Sequence, residues 1–403
     1  MNNISFLLGA GFSKPAKYPL ASDINIKFRN LSLEEFYIHT SEAAYLTKTQ
    51  NENWIVSREK HHFVVEFIQF YCSSILKSKE DFHYETFFDY YIELMKRRPN
   101  DVEAKFFTDF SQKQNYDWDH FQLLFQFNRT FQQLVANFIT IEWPKSGHYL
   151  APHSPSLPHK QFLELMDKLK DDFKVHIHTL NHDLLMEKYF HYDPLAGNYS
   201  DGFCDFASPY YGLISNNERT QRIRLKRFKD KYDAIFNLYK LHGSVDNYVF
   251  NTNNKTYDMI KSEYGLLERG IVKEVTTHTG EEYYDDGHVD VVPEFLSGTF
   301  EKIKNYGRKL YYSRLFERFK YNLNTSNCLI VIGYGFADPT INDYLRDHFL
   351  FKSSHTMIVI NKTRPESSIL NNKSVNFFQV GVEELQVDMV EEIIRKNYII
   401  NAK

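Results

Sequence analysis

The chain has 403 residues, 42% of them apolar, enough to bury one large core or two smaller ones. A formal net charge of −4 gives no global positive field, so nucleic acid would have to be met by a local patch. Three scattered cysteines, Cys72, Cys204 and Cys328, form no C-x-x-C pair, which argues against a disulfide framework and a cysteine zinc ribbon and points to a reducing, cytoplasmic setting. No stretch is long enough to span a bilayer, and the first apolar run is too short for a secretory segment, so no membrane association is expected.

That first run, Ile4 to Leu8, reads as a strand and leads into Gly9-Ala10-Gly11-Phe12-Ser13. Glycines at a strand end permit positive φ and let a diphosphate approach backbone N–H groups. The third glycine of a full dinucleotide fingerprint is missing, so a tight turn without a ligand explains the loop equally well. Ser13 could donate to phosphate or cap a helix. From about Asp23 to about His159 the pattern changes. Val64, Phe67, Ile68, Tyr71 and Ile75 recur at helical spacing, as do Phe121, Leu124, Phe125, Asn128, Phe131, Val135 and Phe138, and glycine is almost absent. This is a helical insertion. It ends in a breaker-rich loop with Pro144, Gly147, Pro152, Ser154, Pro155 and Pro158, before a helix over Lys160–Leu169. The 35 Phe and 28 Tyr spread over the whole chain and read as core filling rather than as a base-stacking platform. Their density in the insertion exceeds what one modest helical layer needs to bury, which suggests subunit contacts or, alternatively, a closed helical subdomain covering the active site.

Apolar runs resume at Phe173–Thr179, Ile235–Leu241, Cys328–Gly333, Met357–Asn361 and Asn376–Val380. Several precede helix-like periodicity, so the fold class is α/β, a Rossmann-like, mostly parallel sheet. A second insertion, about Pro194 to Lys231, ends in the basic run Arg219 to Arg227. Its alternation reads as a solvated strand or helix face, or as a contact or nucleic-acid patch.

Polar motifs sit at the strand ends, where open α/β sheets bind ligands. Thr179-Leu180-Asn181-His182-Asp183 offers an amide that could hold a ribose hydroxyl or a water, or simply cap the next helix through Asn181 or Asp183. His176 and His178 share a strand face and raise a metal reading, but Leu180 and Asn181 stand where further ligands would be needed. Leu241-His242-Gly243-Ser244 places an imidazole beside glycine, suited to general base work or to a structural loop. Gly333-Tyr334-Gly335-Phe336-Ala337-Asp338-Pro339 ends another strand before a helix from Thr340, and Asn361 ends the next.

In this order the motifs resemble the sirtuin superfamily, and within it the NAD-hydrolysing branch of bacterial antiphage defence. The resemblance covers the first strand turn and much of Phe173 to Val380. It implies a sirtuin-like Rossmann NAD-binding domain over 1–22 and 160–403, with 23–159 inserted. NAD is then the substrate, with Gly9, Ala10, Gly11 and Ser13 at the diphosphate. Asn181, Asp183 and Thr179 belong at the nicotinamide ribose, His242 is the base, and Gly333, Gly335 and Asn361 hold the adenosine side. It departs from the deacylating sirtuins in lacking the four-cysteine zinc module, so no metal is expected. Lys17-Tyr18-Pro19-Leu20-Ala21-Ser22 also replaces the G-I-P-D-F-R loop, which weighs against an acyl-lysine substrate. A protein deacylase and a non-catalytic nucleotide sensor remain the alternatives. The implied partners are further copies of the chain and a HerA-type hexameric ATPase, with nucleic acid met through that partner or the basic run.

Overall fold

The computed structural model describes residues 1–33, 36–38, 44–45, 58–115, 117–139, 158–191, 195, 197–216, 219–251, 257–262, 269–277, 279–285, 293–295 and 310–401. Seven strands form a wholly parallel sheet: β1 (Asn2–Leu8), β2 (Phe173–Thr179), β3 (Tyr199–Ser200), β4 (Phe236–Lys240), β5 (Cys328–Ile332), β6 (Thr356–Ile360) and β7 (Val375–Phe378). Their spatial order is β7-β6-β5-β1-β2-β4-β3. Six of the seven are the apolar runs expected from the sequence, each within a residue or two at its ends; β3 carries only two residues and leaves no periodic signal.

Alternation along the strands sorts side chains onto two faces. Ile4, Phe6, Leu8, Ile330, Ile332, Ile358 and Ile360 pack on one face, against helices α7 (Lys160–Leu169), α8 (Leu185–His191) and α11 (Val387–Asn401). Leu7, Tyr239, Leu329, Val331, Met357 and Val359 pack on the other, against α9 (Leu310–Thr325) and α10 (Pro339–Leu345). Burial on both faces is why these strands read as continuous apolar runs.

Between β1 and β2 lie the short helices α1 (Ala10–Ser13) and α2 (Ala21–Arg29), then α3 (Arg58–Phe70), α4 (Tyr84–Lys96), α5 (Asp101–Gln114) and α6 (His120–Ile139). Their aromatic rings bury one another. Phe67 lies 5.0 Å from Phe127, Phe127 lies 5.3 Å from Phe131, and Phe131 lies 4.8 Å from Phe28, centroid to centroid. The helical spacing over α3 holds through Phe70 and continues as a π turn over Tyr71–Ile75. On α6 the buried stripe is Leu123, Leu124, Phe127, Phe131, Leu134, Val135 and Phe138, whereas Phe121 and Phe125 are 46% and 56% exposed. The breaker-rich loop from Pro144 to Pro155 lies outside the described residues. At its far end the buried His159 donates from Nε2 to the Phe12 carbonyl at 2.6 Å, fastening this stretch to α1.

An antiparallel layer that strand periodicity did not reveal occupies the region before and after β4. Gly202–Cys204, Lys226–Lys231, Tyr257–Lys261 and Asn247–Asn251 form one four-stranded sheet. Arg219–Arg224, Tyr210–Asn216, Arg269–Thr276 and Glu282–Asp285 form another. Tyr210, Leu225, Tyr248, Phe250, Ile260 and Ile271 make their shared core. The basic run is therefore two strand segments hinged at the buried Leu225. Arg222 and Arg224 are exposed, and Arg227 pairs with Asp258 at 2.8 Å. The three cysteines fall in separate places, Cys72 in the helical layer, Cys204 on an antiparallel strand and Cys328 at the start of β5. Among the described residues, no helix is long and apolar enough to cross a membrane.

The chain leaves β1 for β2 on one side and returns to β5 on the other, so the carboxyl ends of β1, β2 and β5 frame a topological switch point. Backbones meet there at glycine. Gly333 has φ of +66°, and a Cβ on it would lie 2.1 Å from the Phe12 nitrogen and 2.4 Å from the Gly11 carbonyl carbon. Gly333→Ala should therefore strain both loops and lower stability by about 2 kcal/mol or more. Thermal denaturation of the variant beside the parent checks this, and an unchanged Tm would contradict it.

Candidate active site

The parallel ladder runs past the strand ends and knits the loops beyond them. Gly9 N donates to Ile332 O at 2.9 Å, Gly11 N to Gly333 O at 2.9 Å, Leu180 N to Leu8 O at 3.0 Å and Leu241 N to Thr179 O at 3.0 Å. Val245 N reaches His182 O at 3.1 Å, joining the loops after β2 and β4. The loops enclose a cleft of about 560 Å³, within the range of small-molecule sites. Gly9, Ala10, Ser13, Asn181, Asp183, His242, Gly333 and Gly335 all line it.

Three of the expected residues stand behind the wall. Gly11 packs on Gly333, Thr179 accepts from Asn181 N through Oγ1 at 3.1 Å, and Asn361 Nδ2 supports the Tyr334 carbonyl at 3.1 Å. The glycines after β1 also act differently from expectation. Gly9 has φ of −108°, and the N–H groups of Gly9, Gly11 and Phe12 already have backbone acceptors at 2.9 Å. Their contribution is close approach of chain to chain.

Asn181 is oriented without ambiguity. Its Nδ2 lies 2.9 Å from the Gly9 carbonyl, which can only accept, and 2.9 Å from Ser13 Oγ. Both amide hydrogens are thus engaged, and what Asn181 brings to the cleft is its carbonyl oxygen, an acceptor. Ser13 Oγ thus accepts from Asn181, and its hydroxyl is among the groups that favour the Asp183 carboxylate. Asp183 Oδ1 caps α8 through Leu185 N at 3.0 Å. Burial raises its carboxyl above the ordinary range, opposed by Lys240, the Leu185 amide and Ser13.

His242 is buried at the end of β4, with Nε2 3.3 Å from Asp338 Oδ2. The following Gly243 has φ of +82°, and a Cβ there would meet Glu294 O at 2.6 Å and the Tyr312 hydroxyl at 2.7 Å, so glycine lets the backbone turn beneath 293–295. His182 shares the cleft, its ring 6.2 Å from that of His242. The insertion supplies a wall that motif reading missed, namely Tyr84, Glu85 and Ile139. Tyr18, Pro19, Ala21 and Ile24 join them from the segment ahead of α3. Lys17 takes the left-handed φ of +68° and closes the single 3-10 turn over Lys14–Ala16.

His176 and His178 are core residues. His176 contacts Tyr239 Oη and Asn3 Oδ1, each at 3.2 Å; His178 contacts Asn322 at 3.3 Å and stacks on Tyr239. Burial lowers both imidazoles, His176 to about 4, which keeps them neutral. Among the described residues, no group of three or more His, Cys, Asp or Glu side chains could hold a metal ion.

Beneath the cleft is a buried ion cluster. Lys261 Nζ lies 2.7 Å from Asp201, 3.1 Å from Glu187 and 3.6 Å from Asp246, and Lys240 Nζ is 3.6 Å from Glu187. Lys240 also donates to the Asp183 carbonyl. The lysines hold Glu187 and Asp201 below their ordinary values against burial, while burial pushes Asp246 up to about 6.

A family model described as "SIR2-like domain" matches residues 175–378, slightly more than half of the chain. No curated protein matches. Solved structures that the chain resembles include a complex of Sir2Tm with a propionylated peptide, at 10% identity and TM-score 0.38, covering 98% of this chain and 94% of that one. Another is a Sir2 homologue–NAD complex, at 11% identity and TM-score 0.38, covering 98% and 90%.

The ion cluster makes a pH prediction. Asp246 has a folded-state pKa near 6 against an ordinary 3.8, so its contribution is fully present below about pH 3.8 and lost as pH rises through 6. Asp201, with its pKa lowered, contributes above its ordinary value and loses that on acidification. Asp246→Asn should leave stability at pH 7.5 equal or higher and flatten its decline between pH 4 and 6. Asp201→Asn should cost about 3 kcal/mol at pH 7.5 by leaving Lys261 short of its nearest partner. Denaturant titrations across pH distinguish the two, and equal effects would refute the assignment.

Proposed function

The chain belongs to the SIR2-like domain family, and from that premise we propose that it hydrolyses NAD at the nicotinamide–ribose bond, giving ADP-ribose, nicotinamide and a proton. The observation that carries this reading is the convergence of Asn181, Asp183 and His242 with the glycine turns after β1 and β5 in one cleft at the switch point. In NAD the nicotinamide is cationic and departs neutral with the bond's electron pair, so the site has little need of a general acid. Its work is to stabilise a ribosyl cation and deliver water.

The charges around the cleft suit that task. Glu85, Asp183 and Asp338 line it, and no Lys or Arg does among the described residues. Carboxylates there favour the ribosyl cation that forms as the positive charge passes from nicotinamide to the sugar. The Asn181 oxygen accepts a hydrogen bond from the attacking water or from a ribose hydroxyl, and His242 takes the proton released as oxygen bonds to the anomeric carbon. Holding the rest of the dinucleotide across the cleft supplies orientation.

As part of the same reading, we place the activity in antiphage defence through NAD depletion, exerted by a homo-oligomer that works with a HerA-type ATPase. An unrestrained hydrolase of this kind would consume its own cell's NAD, so restraint through assembly is expected. Light scattering of the pure protein, then NAD turnover with and without the ATPase, tests this; a monomer with full partner-independent activity would end it.

His242→Ala and Asn181→Ala should each lower NAD cleavage by roughly 100-fold or more, the scale of losing a positioned acid–base group. Circular dichroism checks that each variant is folded, and parental turnover in the folded double variant would defeat the proposal. Offering an acyl-lysine peptide separates hydrolase from deacylase: the hydrolase yields ADP-ribose and nicotinamide without O-acyl-ADP-ribose. NAD bound but unchanged after long incubation would favour a sensing module.

A further inference from the structure

Asp338 precedes α10 and caps it. Its Oδ1 accepts from Thr340 N at 2.9 Å and Ile341 N at 3.2 Å, while Pro339 occupies the first helical position. The residue is held from behind as well. Tyr334 Oη accepts from Asp338 N at 3.2 Å and lies 3.1 Å from Asn342 Oδ1, and Asn342 Nδ2 donates to the Phe336 carbonyl at 2.8 Å. Phe336 itself adopts φ of +55°.

Capping needs one oxygen only, and Ser or Asn would serve as well. The second oxygen is turned across the cleft to His242 Nε2 at 3.3 Å, with the Asp338 side chain 17% exposed and that of His242 6% exposed. The two stand at ion-pair distance, and because a carboxylate oxygen only accepts, the contact favours a proton on the ring nitrogen that faces it.

We propose that Asp338 is the positioning residue of His242, fixing the imidazole in the tautomer protonated at Nε2 and so making Nδ1 the basic atom. The pair joins the loop after β4 to the loop after β5 across the cleft, so the second glycine-rich loop governs the chemistry of the histidine as well as shaping the wall. Catalytic contacts of this kind are commonly long without ligand and shorten when substrate binds. The kinetic consequence rests on the NAD-hydrolase reading; the tautomer does not.

Asp338→Asn keeps the cap and the volume but turns an amide toward His242. Nitrogen-15 NMR of the histidine-labelled protein, assigned with His242→Ala, should show Nε2 protonated in the parent and the proton moved to, or shared with, Nδ1 in the variant. Turnover of NAD should fall about tenfold or more in kcat with KM within about threefold, and Asp338→Asn should add nothing in a His242→Ala background. Asp338→Ser, which also caps, should show the same kinetic loss and guards against an effect peculiar to the amide. A parent lacking the Nε2–H tautomer, or a variant that retains it, overturns the proposal. A changed tautomer with unchanged kcat overturns the positioning role. If the parent cleaves no NAD at all, the hydrolase reading falls and the NMR comparison alone decides the tautomer.

Discussion

Everything in the cleft depends on how closely two backbones approach at the switch point. The turn after β1 and the turn after β5 touch main chain to main chain, through Gly9, Gly11 and Gly333, and each donates or accepts a ladder hydrogen bond that continues the sheet. A side chain at Gly333 would hold the turns apart. The loop that carries Asp338 would then move with Gly333, away from the turn that holds Gly9 and Ser13. Sterics at one glycine therefore set the position of polar groups on loops that are far apart in sequence.

The rest of the molecule confines that arrangement from two sides. The helical layer shares its core with Leu184, Val245 and Phe295, residues adjoining the loops that carry Asp183 and His242, and closes one wall with Tyr84, Glu85 and Ile139. Below, the antiparallel layer contributes Asp201 and Lys261 to the ions around Glu187 and Lys240. Removing such charges from water is costly, and their mutual attraction offsets the cost only when partners are near. The cluster thus specifies how β4 sits over α8 more than it adds net stability.

The sheet was legible in the sequence because strands buried on both faces leave unbroken apolar runs, and the helix Lys160–Leu169 because its stripe is regular. The cleft was legible because the switch point brings strand ends together, so polar residues just past those runs fall around one space. What escaped notice has physical reasons. The antiparallel strands are short and rich in charge, as in Lys226–Lys231, and carry little periodic signal. Phe121 and Phe125 belong to the same helical spacing as Phe131 but fall just outside the buried stripe. Tyr84 and Glu85 open a helix remote from every motif, and only tertiary packing carries them to the cleft. The glycines after β1 looked like a phosphate cradle, yet the continuing ladder had already claimed their amides.

The ion cluster also bears on how this chain can change over generations. Replacing Lys261 alone would leave Asp201, Glu187 and Asp246 repelling one another out of reach of solvent, and replacing Asp201 or Glu187 alone would leave a lysine underpaired, whereas Asp246 can be neutralised by itself. Exchanges at Asp201, Glu187 and Lys261 are then least costly when made jointly, charge pair for charge pair or for an apolar set of the same volume. Residues from β4, α8 and the antiparallel layer are therefore coupled in what each of them tolerates.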